Sequence, residues 1–403
     1  MNWLQFGRLL HSIYRRDGKL PDLDWIERQG LLAVKLCQIH ALRIDFLDEE
    51  KCAHLAKLYR SASTVEATEF RSLIDKSGVD QFFDSFSEVD ETPLAAASVG
   101  QVHRGTLLTG ADVVIKVVKA DVRDQFIKDV ESLRRLFRLI IKVYPTLARV
   151  GNPLGILKDI ETYTLSELDL RNEISGQQEL RDIQAANRQR IDLARLKMPR
   201  MFPTLSNSNV LVSEFIGGPS VDELLTRGEF SYSMLLDLFR IHGFYMFCVG
   251  KFHGDLHPGN VLTQDGDFHF IDTGFIGEVS EKLRTGLLNF FDALSIYDYP
   301  NCAAALQSMS MSELEDSVYK KFVGDFEELY SDFRGATVSE ISLTKKMMET
   351  IKLGVESGMA FEEGMFSIIR SLMYLDGMVL RCNPDALLLE DMRGSIDQFR
   401  YAM

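Results

Sequence analysis

The chain is poor in cysteine: 403 residues contain five, all far apart and none in a Cys-x-x-Cys pair (Cys37, Cys52, Cys248, Cys302, Cys382). This pattern argues against a disulfide framework or a structural zinc site, and it predicts reduced thiols in a cytosol-like compartment. Proline is also scarce, with 10 residues, while 46% of the chain is hydrophobic and 26% charged. These proportions exclude collagen-like, coiled-coil and disordered chains, and the length predicts an enzyme of more than one lobe.

Positive charge is in short supply as well. There are 45 Lys and Arg against 59 Asp and Glu, a net charge of −14, so nonspecific binding to nucleic acid is disfavoured and no nucleic-acid partner is expected. Cations are still locally dense between Arg181 and Arg200, and along the helix face formed by Arg134, Arg138 and Lys142. Both patches are interpreted either as docking surfaces for anionic lipid or as solvated faces that balance the acidic remainder.

No apolar run is long enough to span a membrane. The longest, Ile241 to Gly250, is half the roughly 20 residues that a spanning helix needs. The first residues place Trp3, Phe6 and Leu10 at helical spacing, which fits an interfacial helix or weak presequence, but fits better a first helix docked on its own domain. We therefore expect a cytoplasmic protein whose membrane contact, if any, is peripheral.

The hydrophobic pattern predicts an α+β protein in three parts: a helical extension over 1–90, a small nucleotide-binding lobe over 91–216 and a large, mainly helical lobe over 217–403. In the middle part, strands are expected at Val99 to Leu108, Val113 to Val118 and Asn209 to Ile216, and long helices at Val122 to Val143 and Leu154 to about Asn187. Such an order of elements is typical of two-lobed enzymes that bind a ligand between lobes.

The most informative segment reads His-Gly-Asp-Leu-His-Pro-Gly-Asn over residues 253–260, followed by Asp-Thr-Gly at 272–274. Phosphoryl transfer from a nucleotide needs a base or orienting carboxylate and oxygen ligands for magnesium, and Asp255 is assigned the first role, Asn260 and Asp272 the second. His253 and His257 could instead ligate zinc, but Pro258 and the glycine after it disfavour the regular helix which that spacing requires.

Lys116 lies within an otherwise apolar strand, where a lysine is costly to bury without an anionic partner, so a phosphate and a carboxylate are expected beside it. The segment before it has the place of a kinase phosphate loop, with small residues in place of most glycines (Ala95, Ala96, Ala97, Ser98). Asp169 and Glu173 are spaced to share one face of the second long helix, and Glu173 is the candidate partner of Lys116.

Together these residues resemble the UbiB/AarF family, the ADCK-type atypical kinases, over about residues 20–390. Its N-terminal K-x-G-Q is matched by Lys35 to Gln38, and its alanine-rich loop by Ala95 to Ser98 with Gln101 to His103. Lys116 matches its strand lysine. The family's E-x-D and following glutamate are matched by Glu167, Asp169 and Glu173, and its H-x-D-x-H-P-G-N and D-F-G by residues 253–260 and 272–274.

The resemblance implies a bilobal protein-kinase-like fold whose extension lays Lys35 and Gln38 against Glu167 and Asp169, in a regulatory role that obstructs protein substrates. It also implies binding of ATP or ADP with Mg²⁺, and a part in the biosynthesis of ubiquinone or another isoprenoid quinone and in lipid homeostasis, with a prenyl-quinone precursor, anionic lipid or quinone-biosynthesis proteins as partners. Backbone groups of Glu214 and Ile216 are expected to receive adenine.

Two positions depart from the family pattern: Cys37 replaces a glycine, and Thr273 replaces the aromatic residue of D-F-G. Two other functions remain open. One is a phosphotransferase for small molecules, of the aminoglycoside- or choline-kinase kind, in which Lys35 and Gln38 have no role. The other is a non-catalytic scaffold or lipid chaperone gated by a nucleotide, because phosphate-cradling residues are the same in a switch and in an enzyme.

Overall fold

The computed structural model describes residues 1–15, 17–41, 47–59, 67–79, 81–96, 99–118, 122–144, 153–362 and 365–403. By their internal contacts these residues form two compact units: Met1–Ser175 with Pro199–Phe215, and Gly176–Met198 with Ile216–Met403. The chain passes from one unit to the other after Ser175, Met198 and Phe215. Helices and strands occur in both units, which confirms the α+β class; the three-part division stays a prediction.

The helices of the described residues are α1 Trp3–Tyr14, α2 Leu23–Arg28, α3 Leu31–Ala41, α4 Glu49–Ala56, α5 Ala67–Ser77, α6 Val122–Val143, α7 Pro153–Glu167, α8 Arg171–Ala186, α9 Val221–Arg227, α10 Tyr232–Gly243, α11 Glu281–Ser295, α12 Tyr299–Met309, α13 Asp316–Leu329, α14 Leu343–Glu356, α15 Met365–Cys382, α16 Leu388–Asp391 and α17 Arg393–Ala402. The strands are β1 Phe86–Val89, β2 Ala95–Ala96, β3 Gly100–Leu107, β4 Asp112–Val118, β5 Leu196–Lys197, β6 Val210–Glu214, β7 Lys251–His253, β8 Val261–Gln264, β9 Asp267–Phe270 and β10 Ile276–Glu278.

An antiparallel sheet of order β1-β3-β4-β6, with β2 added along β3, organises the first unit. Burial alternates along β4, so that Val113, Ile115 and Val117 pack with Phe70 of α5 in one hydrophobic cluster. Residues of the opposite face, including Val118 and Leu211, join a second cluster made by α1, α3, α6 and α7. Lys116 pairs in register with Leu211 and therefore lies on this second face.

Helix α1 docks on its own unit, as the preferred interpretation of its sequence predicted. Phe6, Leu9 and Ile13 are buried in the second cluster, and Phe6 contacts the ring of Phe137 edge to face at 5.6 Å. A helix of about three turns is only marginally stable alone, so the burial of its apolar face, rather than intrinsic helix propensity, stabilises α1. Among the described residues, no helix is both long and apolar enough to cross a membrane.

The second unit is mainly helical around a core rich in aromatic side chains, in which Phe326 and Tyr330 stack at 4.6 Å. This unit also contains two small sheets: β7 pairs with β10 in one, and β9 lies between β5 and β8 in the other. A six-residue π-helix, Phe244–Val249, continues α10 and ends at Gly250, which has a positive φ of 84°. The chain then enters β7, which leads directly into the motif at 253–260.

The expected strands and the helix Val122–Val143 are confirmed, but two expectations are wrong. Residues 1–90 are not helical throughout, because β1 pairs with β3; so short a strand has no periodicity of its own. The expected helix from Leu154 is broken at 168–170, where the Leu170 N–H donates to the Ser208 carbonyl at 3.0 Å instead of to its own helix. Leu168 and Leu170 are both buried, so tertiary contacts outweigh helical periodicity there.

Candidate functional site

Lys116 and Glu173 form a buried ion pair in the first unit. Lys116 Nζ donates to Glu173 Oε1, and only 12% and 6% of the two side chains is exposed. Glu173 lies in the first turn of α8, where the helix dipole stabilises a carboxylate. Residues 168–170 are not helical and separate α7 from α8. The Glu173 carboxylate therefore lies on a different helix from Glu167.

The alanine-rich loop begins as the short strand β2, in which Ala95 and Ala96 pair with Val102 and Gln101. Ala97 and Ser98 lie outside the described residues. Just after them, a Cβ on Gly100 would lie 2.0 Å from the Val117 carbonyl oxygen, so close approach of β3 to β4 requires glycine there.

Gln101 and His103, which belong to the same motif, are built into the core. Gln101 donates to His103 Nε2 at 2.8 Å, and His103 Nδ1 donates to the Asp90 carbonyl at 2.9 Å. The ring of His103 stacks on Phe70 at 3.7 Å, and burial lowers its pKa. Since Val102 pairs with Lys116, the alternating strand puts Gln101 and His103 on the face opposite to Lys116.

Lys35 makes a second buried ion pair in this unit. Its Nζ lies 2.5 Å from Glu167 Oε2 and 4.9 Å from the centre of the Tyr163 ring, and its side chain is 5% exposed. Gln38, one turn further along α3, donates to the Leu58 carbonyl at 3.0 Å. Cys37 is fully buried, and burial raises the pKa of its thiol to about 12, so it is not a reactive thiolate.

Asp169 does not share a helix face with Glu173, contrary to expectation, because it lies in the break between α7 and α8. Its carboxylate accepts two hydrogen bonds from the Arg171 guanidinium, at 2.9 and 2.6 Å, and one from the Arg171 backbone at 3.2 Å. These bonds lower the pKa of Asp169. The bond from the Arg171 N–H is a local contact, of the Asx-turn kind, at the first residue of α8.

The segment expected to receive adenine lies where the chain leaves the first unit. Glu214 is the last residue of β6, and Ile216, which is buried, is the first residue of the next stretch of the second unit. The Glu214 N–H donates to the Arg200 carbonyl at 2.8 Å, and its carboxylate accepts from the Arg200 N–H at 2.9 Å. Any adenine contact from Glu214 would therefore come from its carbonyl oxygen.

His253 organises the candidate catalytic loop of the second unit. Its Nε2 donates to the Ile271 carbonyl at 2.8 Å and its Nδ1 accepts from the Asp255 N–H at 3.2 Å, which defines a neutral tautomer. The ring is fully buried, and desolvation lowers its pKa. Both nitrogens are used within the protein, so the zinc alternative is disfavoured for this residue.

Asp255, Asn260 and Asp272 are linked by short backbone connections. Asn260 Nδ2 donates to the Asp255 carbonyl at 3.0 Å and to Asp255 Oδ2 at 3.3 Å. The Asn260 carbonyl in turn accepts from the Ile271 N–H at 3.0 Å, one residue before Asp272. Asp272 has a positive φ of 54°, a conformation that aspartate tolerates better than most residues and that is common at functional sites.

Close packing holds the backbone of this loop. A Cβ on Gly254 would lie 2.2 Å from the Phe275 ring, and one on Gly176 would lie 2.2 Å from the Thr273 carbonyl oxygen. Thr273 itself is fully buried, in place of the aromatic residue of the family pattern. Sequence reasoning missed Arg370, which donates to the Gly254 carbonyl; its signal was a lone arginine in an apolar run from Ile368 to Leu375.

The donor set of this loop fits magnesium better than a metal held by the protein alone. Among the described residues, no group of three or more His, Cys, Asp or Glu side chains gathers around one point. The Nδ2 of Asn260 is committed to Asp255, so its Oδ1 is the atom that can face a cation. An amide oxygen and one or two carboxylates suit Mg²⁺, which takes most of its ligands from phosphates and water.

Comparison of the sequence with known families gives a match over most of the chain. Residues 57–306 match the model of the ABC1 atypical kinase-like domain. The chain belongs to this family. It is 25% identical over 93% of its length to a probable protein kinase UbiB of Vibrio vulnificus, and 26% identical over 98% to an uncharacterized chloroplastic aarF domain-containing protein kinase of Arabidopsis thaliana. It spans 69% and 76% of these two relatives.

A solved structure supports the fold. The complex of Rv3197 with erythromycin from Mycobacterium tuberculosis aligns with a TM-score of 0.52 at 18% identity, covering 88% of this chain and 93% of that one. The kinase-like α+β fold and the UbiB/AarF resemblance are thus confirmed. Helices α1–α4 and residues 307–403 lie outside the region that the family model matches.

Proposed function

We propose that this chain is a magnesium-dependent, ATP-binding kinase or ATPase of the UbiB type. One observation carries the proposal: Asp255, Asn260 and the residue preceding Asp272 are joined by hydrogen bonds in one loop system. The buried pair of Lys116 and Glu173 in the first unit supports it, since a lysine held on a sheet by a carboxylate is the group that kinases use to bind phosphates.

Each group then has a definite task. Lys116 contacts the α- and β-phosphates of ATP or ADP while Glu173 orients its amine, and Ala95 to Ser98 lie over the phosphates. Glu214 and Ile216 receive adenine through backbone groups. Asn260 and Asp272 hold Mg²⁺, which when bound neutralises charge on the phosphates. Asp255, kept in position by Asn260, orients the attacking hydroxyl or water and takes its proton.

The N-terminal contacts favour this function over a general small-molecule phosphotransferase. In the latter, Lys35 and Gln38 would be idle, whereas Lys35 is buried and paired with Glu167. We assign Lys35, Gln38, Glu167 and Asp169 a regulatory role in which α3 restricts the acceptors that can be used. Replacing Gln38 by Ala should change turnover or acceptor range; unaltered turnover would favour the small-molecule enzyme.

For the phosphoryl acceptor, we propose a small or lipid-like molecule of isoprenoid quinone metabolism. The protein would reach it through peripheral contact with a membrane. In support, the end of α6 exposes Leu139 and Val143 beside Arg138 and Lys142, a basic and apolar surface suited to anionic lipid. Arg134, expected on the same surface, is instead paired with Glu161. A prenyl-quinone precursor and proteins of quinone biosynthesis are the corresponding partners.

The test is a nucleotide thermal-shift series with ATP and ADP, with and without Mg²⁺, repeated with vesicles that contain cardiolipin. A magnesium-dependent shift is expected, because a ligand that binds only the native state raises its stability. ADP release, measured in parallel, separates the enzyme from a nucleotide-gated scaffold. Absence of any shift with either nucleotide would refute the proposal.

A further inference from the structure

Helix α15 lies beyond residue 306, where the match to the family model ends, yet it touches the candidate catalytic loop at two points. Arg370 donates to the Gly254 carbonyl, and one turn later Tyr374 meets the ring of His257 edge to face at 5.4 Å. Gly254 directly precedes Asp255, the assigned base, and His257 follows it by two residues. Helix α15 therefore contacts the loop on both the N-terminal and the C-terminal side of Asp255.

Arg370 is buried where it contacts the loop. Only 7% of it is exposed, and its guanidinium lies 5.3 Å from the centre of the Phe275 ring. The Gly254 N–H donates to the Phe275 carbonyl at 3.0 Å, so Arg370 contacts both residues that meet at this hydrogen bond. A charged hydrogen bond to a backbone carbonyl inside a protein is strong, and burying the charge is costly unless such bonds are made.

We propose that Arg370 is a positioning residue that holds the backbone of the catalytic loop, and with it Asp255, in the arrangement required for turnover. This inference rests on the proposed function. It gives a reason for a buried charged side chain in the first half of α15. A clamp on a peptide carbonyl sets the direction of the following peptide, and displacements of about 1 Å can cost on the order of 100-fold in rate.

Arg381 provides a matched control on the same helix. It is also a paired arginine, bound to Asp222 Oδ1 at 2.7 Å and to Thr226 Oγ1 at 2.9 Å, but it contacts α9 rather than the loop. Replacing either arginine by Met removes a charge and its hydrogen bonds from α15 while keeping an unbranched side chain. Only Arg370→Met should affect the loop.

Hydrogen–deuterium exchange of the full chain tests the proposal without reference to activity. In Arg370→Met, amides over 252–257 should exchange at least about 10-fold faster than in the unmodified protein, while Arg381→Met should leave them unchanged. Equal exchange in both variants, whether accelerated or not, would overturn the clamp. If Arg370→Met does not fold, Arg370→Gln replaces it under the same criterion.

Steady-state kinetics supply the second readout. Arg370→Met should lower kcat by about 10- to 100-fold with KM for the magnesium nucleotide within about 2-fold, and Arg370→Lys should recover part of kcat. An equal loss in Arg381→Met would mean a merely structural role. If the unmodified protein binds no nucleotide, the proposed function fails, whereas the exchange measurement still decides whether Arg370 holds the loop.

Discussion

The candidate residues of the first unit and those of the second are held in different ways. In the first unit, charged side chains far apart in sequence meet in buried ion pairs: Lys116 with Glu173, 57 residues apart, and Lys35 with Glu167. In the second unit, residues 253–272 are joined mainly by neutral hydrogen bonds to backbone groups, centred on His253 and Asn260. We therefore expect loss of a buried ion pair to destabilise the first unit, whereas carboxylates of the loop in the second unit can change without unfolding the protein.

The largest effect should follow from breaking the ion pair of the first unit. Lys116→Met leaves the Glu173 carboxylate buried without its ammonium partner, so the free energy of unfolding should fall by about 3–5 kcal/mol in chemical denaturation. Replacing Glu173 by Leu in the same chain should recover part of that loss, since no lone charge is then buried.

Asp112, on the same strand, is the control for that experiment. Its ion pair with Arg104 is about half exposed on both sides, so Asp112→Asn should cost less than about 1 kcal/mol. If the two single variants lose equal stability, the first unit does not depend on its buried pair.

In the second unit, Asp272→Asn should leave the free energy of unfolding nearly unchanged and weaken ligand binding. We expect the free energy of unfolding to stay within about 0.5 kcal/mol, since asparagine also tolerates the positive φ. Magnesium-dependent nucleotide affinity, measured by calorimetry, should fall by at least about 100-fold, more than is typical for an outer-shell change.

Asp265 offers a comparison of the same residue type and conformation. It has a φ of 53° in the turn between β8 and β9, apart from the loop. Asp265→Asn should leave both stability and affinity unaltered. Near-native affinity in Asp272→Asn would count against Asp272 as a metal ligand.

Acid should weaken the second unit through a histidine that the site does not use. His242 is completely buried, neither ring nitrogen has a hydrogen-bond partner among the described residues, and desolvation lowers its pKa from 6.5 to about 3. A base with a lowered native pKa contributes stability above its unfolded pKa and loses it as the pH falls. Between about pH 7.5 and about pH 5 the loss should be about 2 kcal/mol.

His242→Leu isolates this contribution, because it keeps the site apolar and removes the titrating ring. Its free energy of unfolding should fall less steeply over the same pH range, as measured by urea denaturation at several pH values. An identical slope in the two proteins would show that His242 is not the source of the acid sensitivity.

A small effect is also expected for a second exposed ion pair of the first unit, Arg171 with Asp169. Arg171 is 68% exposed, so Asp169→Asn should cost less than about 1 kcal/mol of thermal stability despite the three hydrogen bonds. Glu167→Gln, two residues away, strips Lys35 of its buried partner and should cost several times more. A reversed order would refute the contrast between buried and exposed pairs.

Within the loop of the second unit, the local sequence pattern was informative. The spacing of Asp255, Asn260 and Asp272 indicated one loop system because each lies at the end of a short strand or turn that can fold only a few ways. Lys116 was recognisable because a lysine among β-branched residues needs an anion. The roles assigned to these residues stay predictions, as do those of Ala97 and Ser98, which lie outside the described residues.

Tertiary contacts account for what was missed. The break before Asp169 exists because Leu170 bonds to Ser208, and β1 is a strand because β3 pairs with it. Gln101 and His103 belong to the core because the register of β3 puts them on the face of α5. None of these partners is near in the chain, so no local pattern could have indicated them.

The amino-acid sequence by itself indicated the family, through motifs that resemble it, and the α+β class and the types of chemical group in the loop, through periodicity and short-range spacing. The sequence also indicated Glu173 as the partner of Lys116, and the structure shows this pair. Only the tertiary structure decided which face each motif residue occupies and that Arg370 contacts the loop. Those outcomes depend on long-range packing, in which a buried charge or backbone group bonds to whatever partner the fold brings near.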